Sequence, residues 1–126
     1  MIKFLYFRTT ATLGDDDASG DSVCYPVTSL MGMQPTGDTY LALYFKQLSN
    51  QFSDSEDADD DEGRTDKITV TLSSANTHKA VMKNIIDAIA YGEEAFIIIG
   101  DDESNTEQYI SGITDVRTLI VREENN

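Results

Sequence analysis

Two tyrosines and a lysine recur on one parity of the segment TYLALYFKQL, which begins at residue 39. If this segment is a strand, Tyr40, Tyr44 and Lys46 share one face, because strand side chains alternate between two sides. Tyr6 and Arg8 have the same spacing in the opening segment. Aromatic rings that stack on bases, beside cations that contact phosphates, form sites for single-stranded nucleic acid. These five residues are the predicted nucleic-acid-binding site.

The same side chains have a second interpretation, in which their rings pack beneath a helix or into a subunit interface. Protein interfaces are enriched in Tyr and Arg. For aromatic side chains this packing role is the commoner of the two. Both interpretations stay open at the level of the sequence.

Residue types that support metal binding or catalysis are present without the partners that they need. Asp15–Gly20 matches the first six positions of an EF-hand loop, but position twelve is Pro26 rather than a bidentate glutamate. His78 is the only histidine and Cys24 the only cysteine, which excludes multi-cysteine zinc sites. No nucleophile motif surrounds either residue. The sequence therefore predicts no enzyme activity, no metal and no cofactor.

The charge of the chain is strongly negative and unevenly distributed. Among 126 residues, 23 are Asp or Glu and 9 are Lys or Arg, which gives a formal net charge of −14. Seven of the nine residues 54–62 are carboxylates, so residues 50–66 are predicted to form a flexible acidic loop. A chain this acidic is a poor binder of long duplexes and of anionic membranes. We therefore expect any nucleic-acid contact at a local patch and on single strands.

The apolar pattern predicts one domain over residues 1–126, with several strands and one helix. The last expected strand is apolar on both faces, so it is central in its sheet or shared with a second subunit. Strands on both sides of the acidic loop predict a hairpin. The expected strands are Met1–Arg8, Thr39–Leu48, Lys67–Ser73, Ala95–Ile99 and Tyr109–Arg122, with a mixed edge segment at Val23–Met33 and a helix at Asn76–Tyr91.

Three segments resemble a family of small marine cyanophage proteins that are common in ocean metagenomes. They are MIKFLYFRTT at residues 1–10, GDS at residues 20–22 with the hydrophobic stretch that follows, and MQPTGDTYLALYFK at residues 33–46. The predicted helix and the later segments GDDES and ISGITDV are compatible with this family. The resemblance implies a small, strongly bent antiparallel β-barrel of the Sm-like class. It also implies assembly into homo-oligomeric rings and a role in nucleic-acid processing.

The chain departs from the Sm pattern where Sm proteins recognise RNA. Ile97–Asp101 is similar to the second Sm signature, but Ile99 stands where that signature has an arginine. A predicted helix also precedes this strand, where Sm proteins run directly from strand to strand. The resemblance therefore implies the fold and not the Sm uridine pocket.

Taken together, the sequence favours a mostly β (α+β) protein, an antiparallel Sm-like barrel with one inserted helix. The expected function is that of a phage-encoded, non-enzymatic ring protein that binds single-stranded RNA or DNA. We expect it in the host cytoplasm or in the virion, without membrane association. Two alternatives stay open: a structural or assembly protein of the virion, and an acidic nucleic-acid mimic that binds a host protein.

Overall fold

The computed structural model describes residues 2–11, 18, 20–47 and 65–121. This part of the chain contains eight strands, one α-helix and a short 3-10 helix at Val27–Ser29. The strands are β1 (Phe4–Arg8), β2 (Ser22–Pro26), β3 (Leu30–Gly37), β4 (Tyr40–Lys46), β5 (Thr65–Leu72), β6 (Phe96–Asp101), β7 (Gln108–Tyr109) and β8 (Ile113–Ile120), and the helix α1 spans His78–Tyr91. The prediction of a mostly β protein with one helix is confirmed.

The strands form two four-stranded sheets. Sheet one has the order β2-β1-β6-β7, and sheet two has the order β3-β4-β5-β8. The described pairings are antiparallel except for β1 with β6, which run parallel. This pair departs from the predicted antiparallel pattern. Parallel neighbours need a long crossover connection, and here β2, β3, β4, β5 and α1 lie between β1 and β6 in the chain.

Strands β4 and β5 pair antiparallel, as the predicted hairpin requires. Leu41 pairs with Val70 and Leu43 with Ile68, and all four side chains are fully buried. Since strand side chains alternate, this apolar row faces the core and places the row of Tyr40 on the outer face. The hairpin register therefore determines which residues of sheet two are available for binding.

The predicted loop over residues 50–66 ends two residues too late. Thr65 and Asp66 belong to β5, and the rest of the predicted loop lies outside the described residues. Asp66 is fully buried and accepts a hydrogen bond of 2.6 Å from the hydroxyl of Tyr25. This buried carboxylate thus has a specific structural partner, which composition alone does not reveal.

The two sheets pack together over an aromatic centre. Tyr25 stacks on Phe45 with ring centroids 4.1 Å apart, and Phe7 meets Phe45 edge-on at 5.8 Å. Burial raises the pKa of Tyr25, and its hydrogen bond to Asp66 raises that pKa further. Tyr25 therefore stays a protonated donor in the core at neutral pH.

Helix α1 packs against β3 of sheet two and β6 of sheet one. Val81 and Ile85 are its fully buried side chains. The helix begins at His78 rather than at the predicted Asn76, because Asn76 has a left-handed backbone with φ of 63°. In the described part of the chain, no helix has the length and apolarity that a membrane crossing requires.

Both ends of α1 are tied to the sheets. The Nε2 atom of His78 lies 2.8 Å from the Gly37 carbonyl oxygen and 3.1 Å from that of Tyr40. Since both oxygens are acceptors, Nε2 carries the proton. At the other end, the ammonium of Lys3 donates to the carbonyl oxygens of Ile89 at 2.6 Å and Gly92 at 2.8 Å. The helix is thereby fixed relative to β1 and β4.

The single strand predicted over Tyr109–Arg122 is wrong, because two strands, β7 and β8, occupy this segment with a turn between them. Gly112 in the turn has φ of 99°, and a Cβ there would lie 2.7 Å from Cγ2 of Val81. A side chain is therefore excluded by both backbone conformation and space. Strand β8 lies at the edge of sheet two, which rules out the central position that its apolar pattern had allowed.

Candidate nucleic-acid interface

The outer side of β4 carries the row of side chains that the alternation predicts. Tyr40 and Tyr44 are half-buried, Lys46 is exposed, and Ala42 between the two rings is fully buried. The tyrosines are four residues apart on one strand, which separates their Cα atoms by about 13 Å. Because Ala42 is small, its side chain does not project between the two rings.

Two further cations lie on the same face, contributed by the neighbouring strands. Lys67 of β5 is the register partner of Tyr44. Arg117 of β8 lies over the ring of Tyr40, with its guanidinium carbon 4.5 Å from the ring centroid. One guanidinium N–H also donates to the Tyr40 hydroxyl at 3.0 Å. We call the surface formed by Tyr40, Tyr44, Lys46, Lys67 and Arg117 the cationic face.

The local charge of the cationic face is opposite to that of the whole chain. It holds three of the nine Lys and Arg residues, whereas the formal net charge is −14. The strand register adds one carboxylate to this side of sheet two, Asp115, as the partner of Thr71. Over the described residues of the sheet, the face is therefore positive, and phosphate groups would meet attraction here rather than repulsion.

The two tyrosines of the cationic face differ in their surroundings. Arg117 covers one side of the Tyr40 ring and fixes its position by stacking and hydrogen bonding. Among the described residues, the Tyr44 side chain has no hydrogen bond and no ring or cation contact. A base can therefore stack on Tyr44 directly, and on the outer side of the Arg117 guanidinium at the other end of the face.

Tyr6 and Arg8 lie apart from this surface. They belong to β1 of sheet one, whose outer face points away from that of sheet two because the core lies between the sheets. The Tyr6 ring packs against Phe96 with centroids 5.0 Å apart. Arg8 is only 2% exposed, and its Nε donates to the Thr10 carbonyl at 2.9 Å. The structure thus brings together three of the five predicted residues and separates the other two.

Sequence reasoning missed Lys67 and Arg117. Lys67 was available from the pattern, since it alternates with the buried residues of β5 and must face the same way as Tyr44 in an antiparallel hairpin. Arg117 was not. The register of β5 with β8 shifts between Val116 and Thr118, and this bulge brings Arg117 to the outer face.

A cluster of carboxylates lies beside β8 and serves a structural purpose. Asp102 accepts hydrogen bonds from the Tyr109 hydroxyl and, at 3.3 Å, from the Val116 N–H, which connects the two sheets. Burial raises the pKa of Asp102, the two hydrogen bonds lower it, and the nearby carboxylates of Asp115 and Asp101 raise it again. Among the described residues, no group of three or more His, Cys, Asp or Glu is arranged to hold a metal ion.

Three structural observations bear on function: the strand register of sheet two, the burial of Ala42 and the contacts of Arg117 with Tyr40. Comparison with protein-family models, with curated proteins and with solved structures finds no match to it.

Proposed function

We propose that this protein binds single-stranded nucleic acid on the cationic face of sheet two. The observation that carries the proposal is the composition of this face. Lys46, Lys67 and Arg117 surround two tyrosines in a chain whose formal net charge is −14. A surface of this kind attracts a polyanion locally, while the rest of the molecule repels one.

The tyrosines and the cations of the face have separate roles in this proposal. Tyr44 stacks on one base, which contributes about 1–3 kcal/mol at sites of this type. Lys46 and Lys67 flank Tyr44 and contact the phosphates on either side of that base. Arg117 provides a second stacking plane above Tyr40 together with a third charge. A duplex keeps its bases stacked and out of reach, so the expected ligand is single-stranded.

We also propose that the two sheets form one strongly bent, Sm-like barrel whose copies assemble into a ring. The short connection between β2 and β3 supports the bend, since only the three residues Val27–Ser29 separate strands of different sheets. On the opposite side, the contact of Asp102 with Val116 joins sheet one to β8. Among the described residues, no strand pairs with the outer edge of β3 or of β8, and this supports assembly because unpaired strand edges favour pairing with another chain.

Binding is tested by fluorescence anisotropy with labelled single-stranded RNA and DNA oligomers at low salt. We expect both to bind more tightly than a duplex of the same length. Tyr44→Ala should weaken binding about tenfold, and Tyr44→Phe should retain it, because stacking needs the ring and not the hydroxyl.

Tyr91→Ala is the matched control for this test. It removes an 80% exposed tyrosine that lies on α1, away from the cationic face, and should leave the affinity unchanged. Equal affinity of the wild type, Tyr44→Ala and Tyr91→Ala for the oligomers would rule out the cationic face as the site.

A second candidate function is a structural or assembly role in a virion, and a different surface favours it. Phe4 and Phe96 are register partners on the outer face of sheet one and are 38% and 50% exposed. Ile2, two residues before Phe4 in the chain, is 66% exposed. Exposed apolar clusters of this kind mark protein–protein contacts. Mass spectrometry of purified phage particles tests this role, which requires the protein to be present in stoichiometric amounts.

A further inference from the structure

A surface cleft of about 500 Å³ lies between the C-terminal end of α1 and strand β6. Ala88, Ile97 and Ile98 form its apolar wall. Ile97 is almost completely buried, whereas the ring of Tyr91 on the rim is exposed. The volume is within the range of small-molecule sites, and the wall offers a hydrocarbon group a surface shielded from water.

The polar part of the cleft is acidic. Glu93 and Glu94 line it together with the uncharged polar side chains of Tyr91 and Gln108, and among the described residues neither a lysine nor an arginine lines it. The C-terminal end of α1 adds partial negative charge. Lys3 lies at this helix end, and its ammonium already satisfies two carbonyl groups there. Two carboxylates against one ammonium leave an excess of negative charge at the rim.

We propose that this cleft binds a primary ammonium group carried on an unbranched hydrocarbon chain. The hydrocarbon lies on Ala88 and Ile98, and the ammonium group lies beside the carboxylates of Glu93 and Glu94. The Tyr91 ring adds a cation–π contact from the rim. Free alkylamines and lysine side chains share this chemistry. The site is independent of the cationic face, which belongs to sheet two and takes anions.

The test is a titration of the ¹⁵N-labelled full chain, followed through backbone amide signals, with hexylamine, hexanol and hexanoate in turn. Hexylamine should shift the amides of Gly92, Ile97, Ile98 and Gln108 with a Kd of about 1 mM. Hexanol, which has the same chain without the charge, should bind more weakly, and hexanoate should bind least. Nα-acetyl-lysine N-methylamide tests the lysine source. Shifts equal to those of hexylamine identify a lysine side chain as ligand, and shifts with hexylamine alone identify a free amine.

Charge-removing variants separate the ammonium site from simple hydrophobic adsorption. The double variant Glu93→Gln with Glu94→Gln should lower the affinity for hexylamine about fivefold and leave that for hexanol unchanged, since both carboxylates are exposed. Asp38→Asn is the matched control, because it removes a charge at the opposite end of α1, next to the turn that His78 contacts. Unchanged thermal midpoints verify that the variants are folded.

Three results would overturn the proposal. The first is hexanol binding as tightly as hexylamine to the wild type. The second is an affinity for hexylamine that the double glutamine variant does not change. The third is the absence of shifts at these amides with hexylamine at about 10 mM.

Discussion

At the scale of single residues, Arg117 has a role that neither of the two lysines of the cationic face can perform. Its guanidinium lies over the Tyr40 ring and is hydrogen-bonded to the hydroxyl of the same tyrosine, so its position is fixed before any ligand arrives. A lysine at this position keeps the charge but has no plane on which a base can stack. Charge and stacking can therefore be measured separately at this one position.

We expect Arg117→Lys to weaken oligomer binding about threefold with an unchanged salt dependence, because it loses the stacking and keeps the charge. Arg117→Gln should also reduce the slope of log affinity against log salt by about 0.7, which corresponds to one phosphate contact with a single strand. Anisotropy titrations over a series of NaCl concentrations measure both quantities. Lys79→Gln on α1 is the control, and its slope should match the wild type. An unchanged slope in Arg117→Gln would exclude a phosphate contact at Arg117.

Asp102 should make the folded state sensitive to pH. Burial raises its pKa above the ordinary value of 3.8. The folded protein therefore holds this proton to a higher pH than the unfolded chain does. In the interval between the two pKa values the folded state binds more protons, so the free energy of unfolding falls as pH rises.

Asp102→Asn removes this titration while its amide oxygen still accepts a hydrogen bond. We expect the variant to gain stability relative to the wild type at pH 7, and the difference to vanish below pH 3.8, where the wild-type carboxyl is also neutral. Urea unfolding across this pH range measures the effect. Asp38→Asn, in the turn between β3 and β4, corrects for the general effect of losing one negative charge. A pH profile of Asp102→Asn that runs parallel to the wild type would contradict the prediction.

At the scale of elements, the turn between β7 and β8 depends on one glycine. Gly112→Ala should lower the free energy of unfolding by about 2 kcal/mol, because φ of 99° is unfavourable for alanine and its Cβ would meet Val81. Gly32→Ala is the control, since no heavy atom lies within 4 Å of a Cβ at that position. Urea denaturation compares the two variants. If the two variants prove equally stable, the turn tolerates a side chain at residue 112, and the argument that only glycine fits there is wrong.

The elements differ in how well the sequence predicts them, and the difference has a physical cause. The β4–β5 hairpin and α1 are visible in the sequence because their apolar residues follow a single period and face a single core. The sequence pattern does not show that β7 and β8 are two separate strands, since the residues on both sides of Gly112 are apolar for different reasons. Ile110 packs against the core from the loop, whereas Val116 and Leu119 do so from the edge strand.

The candidate site shows the same limit. Alternation places Tyr40, Tyr44 and Lys46 on one face, and the structure retains that face. Alternation within β1 groups Tyr6 with Arg8 in the same way, but it carries no information about which sheet β1 joins. Local periodicity thus predicts which side chains share a strand face. It does not predict which faces share a surface, because that depends on pairings distant in the chain.

At the scale of the whole molecule, the separation of charge is the property that matters most. An acidic chain with one positive sheet face orients an approaching polyanion toward that face and repels it elsewhere. The cleft at α1 has the opposite sign, so the two proposed sites do not compete for the same ligand. Copies of the chain repel one another on average, and stable assembly therefore needs specific contacts such as paired strand edges.

The last prediction concerns this assembly. If copies pair through β8, multi-angle light scattering should give a mass that is at least twice the 13.9 kDa of one chain. Ile120→Lys should then shift the population toward the monomer, because Ile120 lies on the edge strand and lysine there opposes edge pairing. Phe96→Lys, on the outer face of sheet one, should leave the mass unchanged. A loss of assembly in Phe96→Lys alone would instead assign the contact to the apolar cluster of sheet one. A wild type that is monomeric at every concentration would exclude the ring. It would not affect the proposal that the cationic face binds nucleic acid, because that proposal does not need assembly.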